Sequence, residues 1–230
     1  EFDNNIYMIT NKDAVNNKLL LLTDNNSWKE VIPHSKDVLI TNFIITENYF
    51  VLETYKDSYL EIKYKRKNES KWEEIDFKNK IFNASIQLIK DDKVKIYYSN
   101  PRTPHTQFEF DLTNAALTKR KATKIKRGIN PQYYKTERLW AKSKDGVKIP
   151  ITLTKSLSPK KKHKGLILKA YGAYGNYPLG NTFSAEDAIL LNDGFTIAYA
   201  HIRGSIAMGN QWYLDGKLLN KENSFDDYIS

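Results

Sequence analysis

Residues 165–177 read Gly-Leu-Ile-Leu-Lys-Ala-Tyr-Gly-Ala-Tyr-Gly-Asn-Tyr (GLILKAYGAYGNY). The first six make a nearly continuous apolar run, the pattern of a strand covered on both faces in a layered sheet. The last seven carry two glycines and three tyrosines. Glycine admits backbone conformations and close approaches that other residues resist. Tyrosine adds a flat apolar body with a hydrogen-bonding tip. The mixture suits a ligand-facing turn better than a plain solvent loop. Turn chemistry alone leaves Tyr171 as readily a rim residue as a ligand-facing one.

The flanking sequence fits a layered α/β unit. Val147–Thr154 and Gly194–Ala200 also read as strands, the latter again almost wholly apolar. Between the apolar runs, Ala185–Leu191 is helix-compatible and Asn192-Asp193-Gly194 supplies a helix stop. Strand, helix, strand implies helices packed on a sheet. Asp145-Gly146 is a hairpin signal between two strand-like stretches. Ser224-Phe225-Asp226-Asp227 has the spacing of a capping box and predicts a helix with Ser224 as N-cap and Asp227 at N3.

Before residue 137 the grammar differs. Asn5–Thr10, Lys18–Leu22, Tyr49–Tyr55, Tyr59–Tyr64 and Lys93–Tyr98 read as short strands rich in β-branched and aromatic residues, broken by Asn, Asp, Lys and Ser. Leu60, Ile62 and Tyr64 alternate with Glu61, Lys63 and Lys65, as in a half-buried antiparallel strand. No sequence repeat stands out, and periodicity leaves sandwich, barrel and propeller open. The expected division is therefore residues 1–136, all β, and 137–230, α/β.

Composition narrows the function classes. The 230 residues are 40% hydrophobic and 13% aromatic, enough for a packed core. No apolar run reaches the roughly 18 residues of a membrane span, and no membrane partner is expected. The first residues lack a signal-peptide layout, and the chain has no cysteine; a cytoplasmic location is the expectation. The net charge of +9 gathers at residues 65–67, 119–127 and 160–164. These clusters lie at or between predicted strands and come with no nucleic-acid motif, so solvated turns are expected and a nucleic-acid partner is not. His34, His105 and His163 fall in expected loops without metal-ligand spacing. No metal and no cofactor is expected.

Three blocks resemble the prolyl oligopeptidase family of serine peptidases, most closely its oligopeptidase B branch. They are Thr136–Pro150, Tyr171-Gly172-Ala173-Tyr174-Gly175, and His201-Ile202-Arg203-Gly204 through Met208–Lys217 with Asn223–Asp227 following. More loosely, Asp37–Ile40, Tyr49–Glu53 and Tyr97–Pro104 are similar to later blades of that family's propeller. The resemblance implies a seven-bladed propeller over an α/β-hydrolase domain that cuts short peptides, after basic residues in this branch. This chain would hold the last blades of the β-propeller (1–136) and the first part of the α/β-hydrolase domain (137–230).

Such a hydrolase places its nucleophile at a Gly-x-Ser-x-Gly elbow, with the acid and then the histidine following. None of the ten glycines here has serine two positions later. The triad is thus expected outside this chain, His201 is expected to serve a turn or packing, and the chain alone is expected to be inactive. The resemblance implies that Tyr171 donates its hydroxyl to an oxyanion hole and that Tyr174 lines the substrate pocket. The implied partners are short peptides and the remainder of the hydrolase domain, in cis or in trans. Unpaired strand edges would otherwise favour self-association. A non-catalytic truncated product or binding module is the competing expectation. Two departures from the pattern stand out. Ser205 replaces a second glycine, which would be strained if φ there were positive. Leu179-Gly180-Asn181-Thr182 lacks the acids of a second basic-residue pocket.

Overall fold

The structure, a computed structural model, describes residues 5–125, 129–159 and 162–230. Lys126, Arg127, Lys160 and Lys161 of the basic clusters lie outside the described residues. The chain opens with an antiparallel sheet of β1 (Tyr7–Thr10), β2 (Lys18–Leu22) and β3 (Trp28–Ile32). A second antiparallel sheet follows in chain order: β4 (Leu39–Ile45), β5 (Tyr49–Lys56), β6 (Tyr59–Arg66) and β7 (Glu73–Glu74). The third repeats the plan with β8 (Asn83–Lys90), β9 (Lys93–Asn100), β10 (Thr103–Asp111) and β11 (Ala116–Ala122). These are propeller blades. Their repeat is one of topology, which is why no residue-by-residue repeat was visible in the sequence.

Alternation on β6 is as read: Leu60, Ile62 and Tyr64 are buried while their neighbours are half-exposed. β5 is buried on both faces up to Lys56, being the inner strand of a blade with blades on either side. Its residues Tyr49, Val51 and Tyr55 share one core with Ile86, Val94, Ile96 and Tyr98 of the third blade. The blades are also tied by a carboxylate. Asp92, in the β8–β9 turn, accepts from Thr46 Oγ1 at 2.5 Å, from Asn48 N at 3.2 Å and from Asn48 Nδ2 at 2.7 Å. Lys119, Arg120 and Lys121 lie within β11, on an exposed strand where a turn was expected. His105 likewise lies in β10, where a loop was expected.

The second half forms one mixed sheet. β12 (Tyr134–Lys142) and β13 (Lys148–Ser156) make a hairpin through the Asp145-Gly146 turn, closed by Ser143 N to Val147 O at 2.8 Å. β14 (Gly165–Ala170) runs through α1 (Ala185–Asp193) to β15 (Phe195–Ala200), and the sheet order is β12-β13-β15-β14. β14 and β15 are parallel, while β13 meets β15 antiparallel. Ser184 caps α1 by accepting from Asp187 N, and Gly194 ends it at φ 103°. The sheet and helix are the start of an α/β-hydrolase domain. The division expected after residue 136 falls within β12.

Two expectations are corrected. β14 is an edge strand among the described residues, with Leu166 58% and Leu168 38% exposed, so within them its apolar run is not covered on both faces. Ser224 is no N-cap: after α2 (Asn210–Leu214), α3 (Glu222–Ile229) starts two residues before it. Ser224 is instead 1% exposed, and its hydroxyl donates to Arg203 O at 2.7 Å. A tertiary acceptor took the side chain that local spacing assigned to the backbone.

Burial raises the Asp92 carboxyl, but hydrogen bonds from Thr46 and Asn48 outweigh it, and the net shift is below the ordinary 3.8. Its contribution to stability is therefore full above pH 3.8 and is lost as pH falls through the lower folded value. In thermal melts from pH 7 to pH 2, Asp92→Asn is expected to lower Tm at neutral pH. The difference from the unsubstituted protein should shrink toward pH 2.

Candidate active-site loop

Tyr171 follows the last residue of β14, at the carboxyl end of a strand in the parallel pair, where ligands of α/β sheets gather. Its side chain is 52% exposed, and its hydroxyl has no hydrogen-bond partner among the described residues. The loop behind it is fixed. Gly172 is buried at φ 57°, and a Cβ there would overlap the Ile202 side chain and come within 2.9 Å of Arg203 O. Gly204, at φ 95°, faces it from the other side: its own Cβ would overlap Gly172 O. Lys221 Nζ donates to that same carbonyl. Gly175 N bonds Gly204 O at 3.0 Å, and Ile206 N bonds Asn176 O at 3.1 Å. Thus Gly172 serves the seating of the loop on residues 202–204 as much as any close approach of substrate.

The seat is built around Arg203, which is 5% exposed. Its guanidinium donates to Asp227 through Nε, at 3.1 and 3.0 Å, and through Nη2 at 2.6 Å; its backbone N reaches the same carboxylate at 2.9 Å. Nη1 donates to Asp145 Oδ2 at 2.6 Å, in the β12–β13 turn. Hydrogen bonding to Asp227, against the cost of burial, pushes the guanidinium further up. The Arg203 hydrogen bond holds the Asp145 carboxyl below its usual range. A buried cation needs such complete pairing. Ser205 does not take a positive φ. Gly204 takes it, so no strain follows, and the Ser205 hydroxyl donates to Ile202 O at 2.9 Å.

Tyr174 stands apart, 87% exposed with φ 55°. A left-handed tyrosine costs on the order of 1 kcal/mol, and the turn Ala173 O to Asn176 N at 3.1 Å holds it. The structure brings Tyr171 and Tyr174 onto one loop, with both rings turned to solvent. His201 is 3% exposed, and burial, then the charge of Arg138, pushes its imidazole well below 6.5. Thr152 Oγ1 donates to Asn181 Oδ1 at 2.8 Å and so accepts from His201 Nε2 at 2.7 Å. His201 is a neutral packing residue. Among the described residues no group of three His, Asp or Glu is placed to hold a metal.

Propeller blades leading into a mixed sheet, with a Tyr-Gly loop at a strand's carboxyl end, define the class as a propeller-capped α/β hydrolase. Comparison with known proteins supports this. The prolyl oligopeptidase N-terminal beta-propeller domain matches residues 2–123, more than half of the chain, and the prolyl oligopeptidase family matches residues 181–230. The chain belongs to the prolyl oligopeptidase family. It is 30% identical to dipeptidyl aminopeptidase BI of Pseudoxanthomonas mexicana over 96% of its own length and 31% of that protein's. It is 31% identical to a prolyl endopeptidase of Elizabethkingia meningoseptica, over 98% of the chain and 32% of the relative. Oligopeptidase B from Leishmania major superposes with a TM-score of 0.86 at 26% identity, covering 98% of this chain and 34% of that one. The chain spans about a third of the length of the curated relatives it matches.

The Arg203 network was not read from the sequence as a unit. Its signal was present in Ile202-Arg203-Gly204 and in Asp227, but only folding joins residues 145, 203 and 227. Arg203→Met strands the buried Asp227 carboxylate and is expected to lower unfolding stability by about 3–5 kcal/mol. Urea titration would measure it; a loss under 1 kcal/mol would show the pair to be dispensable.

Proposed function

We propose that this chain supplies the last blades (1–136) and the first part of the peptidase domain (137–230) of a serine peptidase. That enzyme hydrolyses short peptides, preferentially after basic residues. The observation that carries the reading is Tyr171, an unpartnered hydroxyl held by a rigid loop at the carboxyl end of β14 in a chain of a peptidase family. Acyl transfer begins when a serine oxygen bonds to the scissile carbonyl carbon and the carbonyl electron pair moves onto oxygen. A preorganised O–H donor aimed at that oxygen stabilises the charge as it develops. Tyr171 fills this role, and the exposed Tyr174 ring becomes a wall of the substrate pocket once a peptide lies across the loop. The preference for basic residues rests on the likeness to oligopeptidase B.

Serine, acid and histidine come from the remainder of the hydrolase domain, in cis or in trans. The chain contains no Gly-x-Ser-x-Gly elbow to present a nucleophile. Exposed apolar groups on the second half fit a surface that this remainder covers: Leu166, Phe225 and Ile229 are 58%, 60% and 82% exposed. In the full-length protein, Tyr171→Phe is expected to lower kcat on an arginyl peptide about 10²–10³-fold with little change in KM. Labelling of the serine by a fluorophosphonate should persist. An unchanged kcat would remove Tyr171 from the reaction. The 230-residue chain by itself is expected to hydrolyse no peptide, to resist the fluorophosphonate and to self-associate in light scattering. Turnover by a monomeric chain would contradict all three.

A further inference from the structure

Where β5 of the second blade, the third blade and residues 177–182 meet, they line a half-open cavity of about 270 Å³. Its lining includes Glu53, Tyr97, Ser99, His105, Tyr177 and Thr182. The site joins the two halves of the chain. Tyr177, at the end of the Tyr-Gly loop, packs its ring on Tyr55 with centroids 5.6 Å apart, and Phe183 N donates to Ser99 Oγ at 3.0 Å. A space of this size lies at the small end of ligand pockets and suits one side chain or a chain terminus.

Glu53 is 5% exposed. Its described hydrogen bonds, from Ile86 N at 2.5 Å and Asn42 Nδ2 at 3.1 Å, both end on Oε1. Oε2 is left as an acceptor at the cavity wall. Among the described residues Glu53 is the only carboxylate lining this cavity, and apart from the His105 imidazole no basic side chain lines it, in a chain of net charge +9. A buried carboxylate without a cation is costly, and burial pushes the Glu53 carboxyl up. Tyr97 and Tyr177 also line the cavity, and aromatic rings attract cations over their faces. Among the described residues the cavity lacks an ammonium or guanidinium to answer Glu53.

We propose that Glu53 is a substrate-recognition residue whose Oε2 receives a cationic end of the peptide, an α-ammonium or a basic side chain, between Tyr177 and Tyr97. The proposal rests on the peptidase reading and adds a propeller residue to the binding surface. The test compares the full-length protein with Glu53→Gln, which keeps the acceptor for Ile86 N and removes the charge, and with Glu53→Asp. The substrates share one scissile arginyl bond. They differ in a free or acetylated N-terminus and in lysine or norleucine at the preceding position. Glu53→Gln is expected to raise KM roughly tenfold or more for the peptides carrying the recognised cation, the size of one charged hydrogen bond. The kcat, and the KM of the doubly neutral peptide, should hold, and Glu53→Asp should recover part of the loss. Whichever arm loses affinity identifies the cation. A KM that is unchanged, or raised alike for cationic and neutral peptides, overturns the proposal. If the unsubstituted protein cleaves none of these peptides, the peptidase reading fails separately. Calorimetric binding of the free-amine lysyl peptide then decides the point: weakened by Glu53→Gln it supports recognition, and unchanged it overturns it.

Discussion

A guanidinium taken out of water must be answered on every face, and Arg203 is answered from three separate elements. Asp227 comes from α3, Asp145 and Ser143 from the β12–β13 turn, and the Trp212 ring of α2 lies 6.0 Å from the guanidinium carbon. None of these partners is optional, because an incomplete shell would leave a buried charge unpaired. The turn, the helix and the buried stretch 201–207 are thereby held in one arrangement. The Tyr-Gly loop is then laid on Arg203 and Gly204, so the position of Tyr171 is inherited from an ion network that never touches its ring.

The same economy joins the propeller to the hydrolase sheet. Ile206, from the segment that follows Arg203, packs into the core of the second and third blades, with Tyr213 against it. Asn16, in the β1–β2 turn, accepts from Asn210 N at 2.9 Å, and Arg138 of β12 donates to Ser58 O in the β5–β6 turn at 2.9 Å. Cap and base therefore meet through buried polar and apolar contacts, and the Glu53 cavity lies in the same seam. A group in that seam can feel both halves, as expected where ligands bind between domains.

Much of the architecture was legible because its signals are local. The β6 alternation, the Ser184 and Gly194 ends of α1, and the Asp-Gly hairpin each depend on residues within one or two turns of chain. The misreadings share a cause. Ser224 had the spacing of a cap but found a better acceptor in Arg203 O. β14 had the composition of a central strand but sits at an edge among the described residues. For Ser224 a partner distant in sequence decided the outcome, and for β14 the order of strands in the sheet did.

By itself the sequence determined the two structural grammars, the family likeness, the absence of a nucleophile elbow and the candidacy of Tyr171. Strand period, turn chemistry and motif spacing are properties of neighbouring residues. Only the tertiary structure decided that the Tyr171 hydroxyl has no partner among the described residues while Gly172 is locked, that His201 is buried and neutral, and that Glu53 lies in a cavity with no lysine or arginine among the described residues. Burial and pairing are set by groups that the chain brings together across many tens of residues, and no local pattern encodes them.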